Sequence, residues 1–312
     1  MGSDHPILSL EHLDSLWFQV AGTLCNLRCN HCFISCSPEN QTLDLMSFDQ
    51  VVRYLDEAVR LGVKDFYFTG GEPFVNPDLP RILEATLKLG PATVLTNATL
   101  FSAELVNQLA TMRDTSIYSL ELRVSIDGFS PETNDPIRGP GTFKRIMRGI
   151  KLLLDSGFLP IITAMRSWPI EEDDARLNGF KNSLAEIGYR YPRIKLLPSL
   201  KIGQEALRDR GYSEHDYVTK SMMFGYDSSQ LMCSNSRIVS ARGVHVCPIL
   251  VDQPDAILGT RLANAKAAFE LKHQACLTCY QHGALCLNAS SAAMNFERTR
   301  LSTSPSERNY ES

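Results

Sequence analysis

Residues 25–32 read CNLRCNHC, three cysteines spaced C-x3-C-x2-C directly after the strand-like run LWFQVAG at 16–22. Such close spacing lets one loop wrap a single object, yet three thiols do not close a four-coordinate site. Either a fourth ligand arrives from elsewhere, with His31 and Cys36 at hand, or one coordination position stays open. The surroundings of the loop bear on that choice.

From residue 16 to 200, short apolar runs alternate with helical patterns. The strands read as LWFQVAG, DFYFTGG, ATVLTNA, LELRVSI, LPIITAM and RIKLLPS. The helices between them carry their own punctuation. Ser47 and Gln50 form a capping box, after which Phe48, Val51, Val52, Leu55 and Val59 keep one face apolar. Asn76 is read as a helix cap with Pro77 at the first position. Thr142 opens a run with an apolar face of Phe143, Ile146, Met147, Ile150 and Leu154, which Gly157 can stop in a left-handed conformation. Six β–α repeats with apolar strands predict an α/β fold, a parallel sheet covered by helices with right-handed crossovers. Six units are fewer than a closed eight-stranded barrel, so the expectation is an open, partial (β/α)6 TIM-like barrel whose site lies at the C-terminal ends of its strands. CNLRCNHC follows the first strand and GGEP the second, which puts both on one rim.

The composition is that of an ordinary globular chain: 312 residues, 44% hydrophobic, 21% charged, net charge −4. That charge gives no footprint for nucleic acid or an anionic membrane. The N-terminal MGSDHPILSLEH has acidic residues and no apolar core of a signal peptide, and no run is long enough to cross a bilayer. A cytoplasmic location is the expectation. Nine cysteines fall into two groups, Cys25, Cys29, Cys32 and Cys36 early and Cys233, Cys247, Cys276, Cys279 and Cys286 late. An odd, clustered count in a chain of this size suits two metal sites better than a disulfide scaffold. The expected organisation is an N-terminal extension (1–15), the partial barrel (16–200), a charged connector (201–230), a small cysteine-bearing unit (231–288) and a polar, Ser-rich disordered tail (289–312).

With GGEP at 70–73 and SIDG at 125–128, the cysteine triplet resembles the signature of the radical S-adenosylmethionine (SAM) enzymes, over roughly residues 16–200. A structural zinc knuckle remains the alternative, although zinc sites usually pair cysteines as C-x2-C with a distant second pair. Thiolates suit iron–sulfur clusters. The resemblance implies that Cys25, Cys29 and Cys32 hold three irons of a [4Fe–4S] cluster, and that SAM chelates the fourth. Reductive cleavage of SAM then yields a 5′-deoxyadenosyl radical that abstracts hydrogen from a substrate. It also implies SAM contacts at Gly70, Gly71 and Glu72 near the methionine amino group, with Asn97, Ser125 and Arg138 toward ribose and carboxylate. His31 stands where the family usually has an aromatic residue near adenine, a departure from the pattern. Against these stand plainer readings, with Gly70 and Gly71 as a turn, Asn97 and Asp127 as turn-shaping residues, and Arg138 as a surface charge.

The late cysteines, Cys233-x13-Cys247 followed by Cys276-x2-Cys279-x6-Cys286, resemble the auxiliary-cluster extensions called SPASM and Twitch. The full SPASM pattern uses seven cysteines for two clusters, and five are present. One auxiliary [4Fe–4S] cluster on Cys233, Cys247, Cys276 and Cys279 is expected, with Cys286 the substitute ligand and a zinc ribbon the alternative. A spare thiol, Cys36 or Cys286, is a candidate hydrogen-atom donor. The implied partners are a substrate and a flavodoxin- or ferredoxin-type electron donor. With only residues 1–15 ahead of the first strand, too few for a peptide-recognition domain, the expected substrate is a small sugar- or aminocyclitol-like metabolite, dehydrogenated or epimerised. Maturation of a ribosomally made peptide is the runner-up, and a non-catalytic zinc module the distant third.

Overall fold

A computed structural model describes residues 4–283. After the short β1 (Ile7–Leu8), six strands follow in alternation with helices: β2 (Ser15–Gln19), α1 (Phe48–Leu61), β3 (Asp65–Thr69), α2 (Leu79–Thr86), β4 (Ala92–Thr96), α3 (Ala103–Thr115) and β5 (Leu120–Ser125). Two helices, α4 (Pro131–Arg138) and α5 (Thr142–Asp155), precede β6 (Ile161–Met165), and α6 (Asp173–Glu186) precedes β7 (Arg193–Leu197). Strands β2 to β7 are parallel and adjacent in chain order. All six strand readings from the sequence are strands in this sheet. It stays open, with β7 at one edge.

The late segment extends the sheet on its other side. Past α7 (Gly203–Arg208), β8 (Ser236–Ser240) pairs parallel with β2, from Ser15↔Ser236 to Phe18↔Val239. Antiparallel β9 (Gly243–His245) and β10 (Ile257–Gly259) follow, making nine strands in the order β10-β9-β8-β2-β3-β4-β5-β6-β7. β11 (Phe269–Glu270) pairs with β1, and α8 (Ala275–His282) closes the described chain. No described helix is long and apolar enough to cross a membrane.

Strand periodicity divides the core in two. On the helix-covered face, Leu16 and Phe18 join Phe66, Phe68, Val94, Leu122 and Val124 in one apolar cluster. Their neighbours Trp17 and Tyr67 point the other way and stack with ring centroids 4.2 Å apart, in a cluster that includes Cys25, Cys36 and Ile238. This inner face is less apolar than a continuously hydrophobic reading of the strands suggests. Gln19, Arg123, Ser125 and Thr163 stand on it, because it lines a cavity and not a second packed layer.

Local signals hold at α1, where Ser47 and Gln50 cap each other reciprocally. Gly157 follows α5 at φ 78°. Asn76 corrects the reading made of it. The helix begins two residues later than expected, behind Asp78, and Asn76 is buried instead. Its amide donates to the carbonyls of Val20 and Met46, both at 2.8 Å, and its Oδ1 accepts from Asp78 N. A buried amide with three partners braces the loop after β2 better than it caps an exposed helix end.

Candidate functional site

The loop after β2 is fastened on several sides. Cys25 N donates to Ser37 O, and Ser37 N to Thr23 O, so a β-bridge closes the segment that carries the three cysteines. Asn30 ties it to α4, with its backbone N–H on Ile137 O and its amide on Pro136 O at 2.7 Å. Gln204 N, on α7, donates to Cys32 O.

Gly70 and Gly71 make the closest approach to this loop. A Cβ on Gly71 would lie 2.1 Å from Leu24 O and 2.8 Å from the Cys25 Cβ, and one on Gly70 2.6 Å from the Ala21 Cβ. Gly70 also has φ 151°, a conformation open to glycine. The glycine pair therefore lets the end of β3 lie directly against the cysteine loop, and Gly71 N and Glu72 N donate to Gly22 O and Leu24 O.

One cavity of about 240 Å³ opens at this rim, and Cys25, Cys29, Cys32 and Cys36 all line it. His31, Gly70, Gly71, Asn97, Ser125 and Arg138 line it too, so the structure brings together every early residue singled out from the sequence except Glu72. Glu72 is fully buried behind the wall. Its carboxylate accepts from Thr96 Oγ1 and Asn97 N, both at 2.7 Å, and from Phe74 N at 3.2 Å. Burial pushes its pKa up to about 7 against the pull of those donors. Asn97 shapes a turn, its Oδ1 accepting from Thr99 N and Oγ1, while its amide reaches Asn26 Oδ1 at 2.9 Å and the Cys25 sulfur at 4.0 Å. Ser125 Oγ lies 3.4 Å from Thr163 Oγ1.

Arg138 is no surface charge. It is 8% exposed and its Nε lies 2.6 Å from Asp127 Oδ2, which His31 Nε2 also approaches to 2.6 Å. Asp127 Oδ1 accepts from Met165 N. Burial alone would raise the Asp127 carboxyl, but Arg138 and His31 outweigh it and hold it well below the usual range. Asp127 is the site residue that sequence reading passed over as a turn former. The signal was available: Arg123, Ser125 and Asp127 alternate along β5 and just beyond, on one face, and polar residues at period two mark a lined cavity.

The donors fit an iron–sulfur cluster better than one metal ion. Among the described residues no three His, Cys, Asp or Glu side chains converge as for a single ion. The sulfurs surround a space, and backbone N–H groups are aimed at them: Leu27 N lies 3.4 Å from the Cys25 sulfur and Cys36 N 3.2 Å from that of Cys32. Burial pushes Cys25 up to about 12 and Cys29 up to about 11. Cys32 drops to about 6, chiefly through the thiol of Cys36 hydrogen-bonded to it.

A second pocket gathers the late cysteines. Cys233 sits in the single helical turn Met232–Ser234, Cys247 lies just past β9, and Cys276 and Cys279 stand one helical turn apart on α8. All four line one pocket of about 20 Å³ with apolar neighbours such as Met232, Ile249 and Leu271. Burial pushes Cys233 up to about 11 and raises Cys276 as well. Cys286 and the tail at 289–312 lie outside the described residues.

Comparison with known proteins agrees with this picture. The family description "Radical SAM superfamily" matches residues 20–177. The chain is 35% identical over 144 residues to an AdoMet-dependent heme synthase of Methanosarcina barkeri, covering 46% of this chain and 39% of that protein. It is 36% identical over 135 residues to the antilisterial bacteriocin subtilosin biosynthesis protein AlbA of Bacillus subtilis, covering 43% and 29%. The chain thus spans well under half the length of these relatives. Among solved structures, Streptococcus suis SuiB bound to the precursor peptide SuiA shares the fold with a TM-score of 0.58 at 18% identity, over 79% of this chain and 62% of that one.

Proposed function

The chain belongs to the radical SAM superfamily, and on that premise we propose that it is an enzyme that takes a hydrogen atom from a C–H bond of a peptide substrate. The observation that carries this reading is the single cavity in which three thiols share a wall with Asn97, Ser125 and Arg138. When bound, the family's [4Fe–4S] cluster and SAM supply the 5′-deoxyadenosyl radical. Cys25, Cys29 and Cys32 would hold the cluster. Arg138, kept charged and oriented by Asp127, is suited to the SAM carboxylate. Asn97 and Ser125 offer polar contacts to the ribose, and Gly70 and Gly71 shape the wall through backbone alone. Leu197, Leu200 and Pro248 add apolar lining that excludes water from a reactive carbon.

Cys233, Cys247, Cys276 and Cys279 would hold a second [4Fe–4S] cluster, able to take an electron from a substrate intermediate. Electrons would enter from a flavodoxin- or ferredoxin-type donor. The likeness to AlbA and the fold shared with peptide-bound SuiB favour a peptide. The heme synthase likeness stands on the side of a small metabolite.

Protein purified without oxygen should hold roughly eight irons with matching sulfide. Dithionite and SAM should then give 5′-deoxyadenosine. Deuterium carried into it from a labelled peptide would establish the substrate class. Transfer from small metabolites alone would overturn the peptide reading, and stoichiometric zinc in place of iron would overturn the enzyme.

A further inference from the structure

Arg237 occupies the second position of β8, in the run SRIVS, and none of it is exposed. Its guanidinium bonds to neutral carbonyls: Nε donates to Ala265 O at 2.9 Å, and Nη1 to Cys233 O at 2.6 Å and Ser236 O at 2.8 Å, with Val246 O at 3.5 Å. Nη2 is buried with no hydrogen-bond partner. The ionisable side chains that act on this cation are the thiols of Cys233 and Cys247, and among the described residues no carboxylate forms an ion pair with it. A guanidinium keeps its proton at neutral pH, so the buried charge persists.

A buried cation without a counter-charge is strongly unfavourable. Two of its carbonyl partners belong to Cys233 and to Val246, the residue before Cys247, so it also clamps together two of the three cysteine-bearing segments. A [4Fe–4S] cluster on four thiolates carries negative charge that grows by one on reduction. Nearby hydrogen bonds and charges set the potential of such a cluster.

We propose that Arg237 is a positioning residue and built-in counter-cation of the late cysteine site: it fixes the Cys233 and Cys247 segments and, through its charge and its Nη2 N–H donors, stabilises the reduced cluster. This rests on reading the quartet as cluster ligands. The role differs from that of Arg138, whose charge is matched by Asp127.

The test uses the full chain with Cys29→Ala, so that the late cluster alone remains. Iron and sulfide are counted first, and the cluster is then titrated with dithionite and followed by electron paramagnetic resonance. Arg237→Met should shift the one-electron equilibrium at least tenfold toward the oxidised form, about 59 mV, and Arg237→Lys should restore part of that shift. Replacing a buried charge by an apolar side chain of similar size is often tolerated in the fold. Should Arg237→Met still not fold, arginine labelled with 15N in the Cys29→Ala protein carries the test, since a donor to the reduced cluster gives a nitrogen hyperfine coupling. About four irons with an unchanged midpoint in Arg237→Met, or no coupling from labelled arginine, overturns the role of Arg237 alone. A Cys29→Ala protein without iron overturns the quartet reading and this role with it.

Discussion

Two groups of cysteines, about two hundred residues apart in the chain, line two separate pockets beside the adjoining strands β2 and β8 and are built on different principles. The early three occupy a loop fastened to neighbouring segments by backbone hydrogen bonds, beside the buried charges of Asp127 and Arg138 and the polar Asn97. The late four ring an apolar pocket less than a tenth the size, with one buried cation behind them. A site that must admit a zwitterionic cosubstrate needs room and matched charges. A site that only encloses a cluster needs a tight apolar wall and one counter-charge. Under the proposed function the contrast fits two jobs, opening a bond at the first site and passing electrons at the second.

The most forceful way to break the contrast is to delete one group at a time. Cys29→Ala should abolish 5′-deoxyadenosine formation down to background while leaving about four irons in place, read by anaerobic turnover and iron analysis. Cys276→Ala should lose about four irons and substrate conversion, yet keep cleaving SAM when no substrate is present. If cleavage collapses as well, the two sites are not separate in function.

Asp127→Asn sharpens the early half. It leaves Arg138 buried beside a neutral amide, and breaking a buried ion pair costs about 3–5 kcal/mol. We expect lower thermal stability and a raised KM for SAM, with cluster loading retained. An unchanged KM would remove Asp127 from the chain of contacts that orients Arg138.

The smallest effect is a slope. Glu72 holds its proton up to about pH 7 in the folded chain, whereas a carboxyl in the unfolded chain releases it near 4.5. The folded state therefore binds more protons across that interval, and the contribution of Glu72 to stability falls as pH rises through it. Denaturant unfolding of the metal-free chain should show this decline, and Glu72→Gln should flatten it.

The early site was legible because its chemistry is local. Three thiols and two glycines lie within short motifs at strand ends, and a β–α rhythm says which ends share a rim. Glu72 and Asp127 show where that legibility stops. Both belong to those motifs, yet one turned out to brace β4 from behind and the other to hold an ion pair across two loops, pairings fixed by tertiary distance. Asn76 misled for a similar reason, since an Asn before a Pro looks like a cap whether or not its amide is swallowed by a neighbouring loop. The late strands were missed because β9 has only three residues and β8, though as long as β2, lies outside the β–α rhythm, and nothing in SRIVS announces that it will pair with a segment more than two hundred residues earlier. Arg237 was invisible until that pairing buried it.

That pairing has a consequence for how such chains can be cut or recombined. β2 is buried along its whole length because β3 covers one edge and β8 the other. A fragment ending near residue 200 would expose a ready-made template for intermolecular strand addition at the foot of the cysteine loop. Any shortened or shuffled version must bring a replacement strand, or it will be lost to aggregation before its cofactors can be loaded.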